Sequence, residues 1–270
     1  MQTTYTTPTG STYDFFTDVL KQNHTLIAGA TGSGKSVVIN GLIATILYRL
    51  PGNDAGRATM ILVDPKRVEL AQYKNVPHTL YHAAGQNPES WRDALQMACN
   101  IMDKRYDEME RAGRREFDGG DLFVIIDEWA SINSKMNPLR NACVAPLLRL
   151  VSEGRAAHVH CILATQVPKA TVIPTEVRDN FTCRIALMTE NKLQSRVIID
   201  QSGCELFPSP KKAGCALAWY CLPGNDRTLI KVPYVQENEL DRLVNHWEAQ
   251  TRQNAQTRPA RRGLFSFLHG

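Results

Sequence analysis

The stretch GATGSGKS at 29–36 sets two glycines five positions apart and follows the second, Gly34, with Lys35 and Ser36. Glycines so placed let the backbone turn its N–H groups toward a polyphosphate. A lysine at that point reaches the β and γ phosphates, and the adjacent serine hydroxyl can ligate Mg2+. The candidate nucleotide loop is therefore Gly29, Ala30, Thr31, Gly32, Ser33, Gly34, Lys35 and Ser36. Farther along, DLFVIIDEWA at 121–130 closes an apolar run on Asp127 and Glu128. An acid at the carboxyl end of a buried strand can hold the metal shell, and a glutamate beside it can orient or deprotonate an attacking water. Asp127 is expected to join Ser36 at the metal, and Glu128 to be the catalytic base. These two motifs alone fit a kinase or a metabolic nucleotide enzyme as well.

The segments around those residues must position them. HTLIAGA (24–30) reads as a short buried strand and SVVINGLIATILYRL (36–50) as a helix, so phosphates would meet a helix N-terminus. ATMILVDPK (58–66), HVHCILATQ (158–166), CRIALM (183–188) and GCALAWY (214–220) supply further strands, with another near Leu229. Between them, Trp91, Leu95, Ala98, Met102, Tyr106 and Met109 recur at helical steps and predict one long helix over 88–113. A last helix is expected over 237–250, with Leu240, Leu243, Val244 and Trp247 on one face. Strands alternating with helices predict an α/β fold with a mostly parallel central sheet and helices on both faces.

Composition narrows the class. The 270 residues, 43% hydrophobic, can bury a full core, and no linker-like stretch divides them. The Thr-rich start lacks the features of a secretory signal, and no apolar run reaches membrane-spanning length. Seven cysteines without a Cys-x-x-Cys spacing argue for free thiols in a reducing cytoplasm and against a zinc site. A net charge of +4 does not by itself announce a nucleic-acid binder.

AGATGSGKS, DPKRVELAQY, RYDEMERAGRREF, VIIDEWA, GRAAHVHCILATQ and ENKLQSRVIIDQSG occur in this order, and from about 24 to 247 the chain resembles the motor domain of the FtsK/SpoIIIE double-stranded DNA translocases. The DPK..EL..Y and RAA.H...ATQ patterns are the more particular ones. The resemblance implies a RecA-like P-loop NTPase fold, assembly as a homo-oligomeric ring, usually a hexamer, and ATP hydrolysis with Mg2+ driving duplex DNA through a central pore. It makes Lys35 and Glu128 catalytic, Gln166 the polar sensor of the γ-phosphate, and Arg155 the arginine that a neighbouring subunit inserts at the phosphates. It also implies that Lys169, Arg178, Lys192 and Arg196 meet DNA in the pore, with Lys211 and Lys212 a weaker addition. Asp64 and Lys66 match the DPK signature without an assigned role.

The chain departs from the family pattern in three ways. Val167 stands where an arginine usually follows ATQ. DEWAS replaces DEFAD, with Trp129 expected to pack. The membrane spans, linker and extra subdomain that precede the family's motor, and the winged-helix module after it, are expected to be missing from this protein. The expectation is a minimal cytoplasmic motor of a mobile element, plasmid or phage. Its domains would be an extension at 1–23, the motor at 24–250, and a flexible basic and apolar tail at 251–270 able to dock an accessory protein. The alternatives are a coupling ATPase of a conjugation or secretion system, recruiting a protein or protein-linked DNA, and a nucleotide-binding regulatory subunit that hydrolyses little.

Overall fold

The computed structural model describes residues 4–6, 12–49, 58–134, 136–166, 169, 171–224 and 227–257. In chain order the strands are β1 (Thr4–Thr6), β2 (Thr12–Asp14), β3 (His24–Ala28), β4 (Thr59–Asp64), β5 (Thr79–Ala84), β6 (Leu122–Ile126), β7 (Val159–Thr165), β8 (Cys183–Ala186), β9 (Leu217–Cys221) and β10 (Thr228–Lys231). The helices are α1 (Phe15–Leu20), α2 (Lys35–Arg49), α3 (Pro88–Ala112), α4 (Trp129–Ile132), α5 (Arg140–Glu153), α6 (Thr175–Arg178), α7 (Lys192–Ile199), α8 (Pro210–Ala213) and α9 (Glu237–Thr257).

Eight strands form one sheet in the order β10-β9-β8-β3-β7-β6-β4-β5. The six from β8 to β5 run parallel, and β9 and β10 close one edge antiparallel. The expected mostly parallel sheet is present. A central parallel strand is covered on both faces, so β3 and β6 are buried throughout and read as continuous apolar runs. Alternation nevertheless sorts their side chains. Ile27, Phe123 and Ile125 join α1, α2 and α9 in one core; Leu26, Leu122 and Val124 join α3 and α5 in the other.

Long helix α3 forms as expected because its ends are marked. The Asn87 side chain accepts the Ser90 N–H at 3.3 Å, Pro88 occupies the first turn, and Gly113 closes the helix at φ 64°. Other elements differ from expectation. Edge strand β5 is only half-buried and carries Tyr81 and His82, so it lacks the apolar run that marks the central strands. Helix α5 holds Pro146 in its interior, a residue that ordinarily signals a break. The last helix continues to Thr257. No helix among the described residues is long and apolar enough to cross a membrane.

Candidate nucleotide site and the surfaces around it

Strand β3 lies between β7 and β8, while the chain leaves it through α2 to reach β4 beyond β6. Such a reversal opens a crevice at the carboxyl edge of a parallel sheet. The 29–36 loop fills that crevice, and two glycines there are obligatory. A Cβ on Gly29 would sit 2.7 Å from Ser33 Oγ and 2.8 Å from Leu187 Cβ. Gly34 has φ +106°, and a Cβ there would come within 2.6 Å of Ala216 Cβ. Helix α2 starts at Lys35, so its unsatisfied N–H groups open onto the loop.

Lys35 is only 8% exposed, and its ammonium donates to the Gly29 carbonyl at 2.7 Å and the Ala30 carbonyl at 2.9 Å. Burial lowers its pKa to about 8, opposed by the nearby Glu128 and Asp127. Ser33 Oγ is buried without a hydrogen-bond partner among the described residues. The Thr31 hydroxyl donates to Gln166 Oε1 at 3.0 Å, joining the loop to the end of β7.

Asp127 and Glu128 follow β6 on the same edge, both nearly buried. Burial first, and then the charges of Asp64 and Glu69, raise the Asp127 carboxyl to about 7. Glu128 adopts the left-handed conformation, φ 70° and ψ 69°. Its Oε1 accepts the Thr165 hydroxyl and the Gln166 N–H, each at 3.1 Å, and its Oε2 accepts Lys66 Nζ at 3.0 Å. A cavity of about 390 Å³ opens beside it, lined by Lys66, Gln86, Ser131 and Gln166 among others.

The structure thus brings Lys35, Asp127, Glu128 and Gln166 to one edge and adds two residues not assigned from sequence. Thr165 and Lys66 fix the two oxygens of the Glu128 carboxylate. The signal for Lys66 was the DPK motif, whose aspartate has a separate task. Fully buried Asp64 accepts the N–H groups of Lys66 (3.1 Å), Arg67 (2.8 Å) and Leu70 (3.0 Å), folding the loop that aims Lys66 at Glu128.

The residues fit a magnesium–nucleotide complex. The glycine loop leaves backbone room for phosphates, and Ser36 and Asp127 offer two hard oxygen ligands. No group of three or more His, Cys, Asp or Glu able to hold a metal occurs among the described residues. The oxygens of Ser36 and Asp127 suit Mg2+, which takes few protein ligands and completes its shell with phosphate and water. When bound, it would offset phosphate charge.

Arg155 is elsewhere. It is exposed in the turn between α5 and β7, at the amino edge of the sheet. The seven residues of β7, about 23 Å of strand, separate it from Gln166. Arg105 braces the turn, donating to the carbonyls of Ala157 at 2.7 Å, His158 at 2.9 Å and Gly120 at 2.9 Å.

The expected DNA cations divide between the two edges. Lys169 follows β7 and Lys192 opens α7 after β8, both exposed and beyond the carboxyl ends of their strands. Exposed Arg196 lies in the last turn of α7, whose end returns over β8, where Arg184 donates to the Ile198 carbonyl at 3.0 Å. Arg178 is paired with Asp179 at 3.2 Å, and its carbonyl accepts the N–H of Phe181. The Phe181 ring packs on His24 at the start of β3, which places Arg178 at the amino edge. Lys211 and Lys212 are exposed on α8. Val167 and the tail from 258 to 270 lie outside the described residues.

The sequence model of the FtsK/SpoIIIE family matches residues 6–215. The DNA translocase FtsK of Streptomyces avermitilis is 34% identical over 262 residues, covering 86% of this chain and 27% of the relative. The DNA translocase SftA of Bacillus subtilis is 32% identical over 248 residues, covering 86% and 25%. The chain therefore spans about a quarter of these relatives' length. The pCW3 conjugation coupling protein TcpA, in a monomer form with ATPgS, superposes with a TM-score of 0.69 at 20% identity, covering 88% of this chain and 67% of that one. The cytoplasmic domain of the Thermomonospora curvata Type VII secretion ATPase EccC gives 0.68 at 19%, covering 90% and 30%. Those two likenesses show the fold, a RecA-like α/β sheet with a P-loop. The chain is accordingly a member of the FtsK/SpoIIIE family, carrying a P-loop ATPase site at the carboxyl edge of its sheet.

Proposed function

We propose that this chain hydrolyses ATP in a ring of copies and uses the energy to move double-stranded DNA. The observation that carries the ATPase reading is the placement of Glu128. Its carboxylate is oriented by Lys66, Thr165 and Gln166 on the edge where Lys35 and Asp127 converge. In this reading the 29–36 loop and Lys35 hold the phosphates, Ser36 and Asp127 hold Mg2+, and Gln166 senses the γ-phosphate. Glu128 takes a proton from the attacking water, and its nearby cation Lys66 keeps the carboxylate aimed.

The ring follows from what a single copy lacks. Arg155 cannot reach its own nucleotide loop across the length of β7, whereas an arginine arriving from a neighbour would neutralise transition-state charge, an effect of about 10³–10⁵ in rate where such arginines operate. The names of the relatives support DNA as substrate, and the exposed Lys169, Lys192 and Arg196 offer sequence-independent phosphate contacts. Seven free cysteines suit a reducing cytoplasm.

The test is ATP turnover without DNA, with duplex and with single strand, at several protein concentrations. Duplex stimulation is expected. Stimulation only by a secreted or DNA-linked protein would replace this reading with that of a coupling ATPase. Replacing Lys169, Lys192 and Arg196 with alanine should remove the stimulation and flatten log affinity against log salt by roughly 0.9 per lost phosphate contact. Adding Arg178→Ala shows whether the cation at the other edge shares that surface.

A further inference from the structure

Among the described residues, the connection from β7 to β8 is bonded at two points to the short segment that begins with Glu128. At the first, the Gln166 N–H donates to Glu128 Oε1 at 3.1 Å. At the second, two donors converge on the carbonyl of Val172: the Trp129 indole N–H at 2.9 Å and the Asn133 side-chain amide at 2.5 Å. Asn133 is itself held from behind, its Oδ1 accepting Arg140 Nε at 2.5 Å. Trp129 is fully buried and Asn133 is 5% exposed. Between the two attachments stands exposed Lys169, whose carbonyl accepts the N–H groups of Val172 at 2.8 Å and Ile173 at 3.0 Å.

We propose that residues 128–133 form a transmission clamp, in which Trp129 and Asn133 are positioning residues that tie the motion of the Lys169 segment to that of the catalytic base. The inference rests on the DNA-motor reading. Buried, close-packed elements shift as units rather than deform continuously, so a displacement at Val172 is passed to Glu128 one helical turn away. The Glu128 backbone is left-handed, a conformation unfavourable for a residue with a Cβ, which marks a turn held in place by its surroundings. The tryptophan matters through its N–H. A phenylalanine would occupy much of the same space and leave the Val172 carbonyl with one donor fewer.

Trp129→Phe removes one donor, and Asn133→Ser removes the other. In the full chain, ATP turnover is measured against duplex concentration, together with the KM for ATP, the melting temperature, and the distance translocated per ATP. Each variant is expected to keep the parent's basal turnover and KM, with a melting temperature lowered by a few degrees as a buried bond is lost. Its duplex stimulation should fall about fivefold, the factor that one net hydrogen bond represents. Because both donors share one acceptor, the double variant should lose less than the product of the two. The clamp is refuted if a folded variant retains the parent's stimulation and distance per ATP. It is equally refuted if turnover with and without DNA falls by one common factor, which would make these residues mere supports of Glu128. Should Trp129→Phe fail to fold, Asn133→Ser carries the test. Failure of the DNA-motor reading would show instead in the parent, as turnover indifferent to duplex.

Discussion

Glu128 is held by donors from two separate parts of the chain, Lys66 after β4 and Thr165 with Gln166 at the end of β7. A carboxylate so fixed has a defined direction in which to accept a proton, and pre-set geometry is what general-base catalysis requires. Glu128→Gln keeps the shape and removes the basicity. It should lower turnover by roughly 10²–10⁴-fold while leaving ATP affinity near the parent's, because Lys35 and the glycine loop are untouched. Lys35→Ala should lose nucleotide binding as well. Titration of ATP binding alongside phosphate release separates the two, and a glutamine variant that turns over normally would remove Glu128 from its role.

At the scale of elements, the loop is positioned by the pairing of β3 with β7, and His24 contributes a bond to that pairing. Its Nδ1 accepts the Cys161 N–H at 3.1 Å, so the ring is neutral there, 3% exposed. Burial, and secondarily His160, lower its pKa from 6.5 to about 4. Above pH 6.5 the folded and unfolded states both hold it neutral and it contributes no pH dependence. As the pH falls from 6.5 toward 4, the unfolded chain takes up a proton that the folded site refuses, and about 3 kcal/mol of stability is lost. His24→Asn keeps an acceptor for Cys161 and does not titrate. Denaturant unfolding at a series of pH values should show that slope in the parent and a flatter one in the variant. Equal slopes would mean that another group sets the acid limb.

At the scale of the whole molecule, the cation Arg155 and the nucleotide loop occupy opposite edges of one sheet. In the proposed ring, a single copy would contribute its loop to one site and its Arg155 to another. Specific activity is expected to rise with protein concentration. Inactive Arg155→Ala subunits mixed with inactive Glu128→Gln subunits should regain turnover, since an Arg155→Ala site beside a Glu128→Gln neighbour has both its own base and the neighbour's arginine. Full turnover by a diluted monomer, or mixtures that stay inactive while co-assembling, would sink the shared-site arrangement.

Features written in neighbouring residues were legible without coordinates. The phosphate loop, the acidic pair after an apolar strand, and the three- and four-residue recurrence of apolar side chains along α3 are all patterns between near neighbours in the chain, so spacing alone exposes them. Edge strand β5 and Pro146-bearing α5 were not legible, because a half-wet strand lacks the apolar run and an interior proline imitates a stop. The tertiary structure decided which distant residues meet. Lys66 reaches Glu128 across 62 positions and Trp129 reaches Val172 across 43. Both contacts depend on the strand order, which sets β6 between β4 and β7. Local periodicity reports which face of a strand is buried and carries no information about which strand lies next to it.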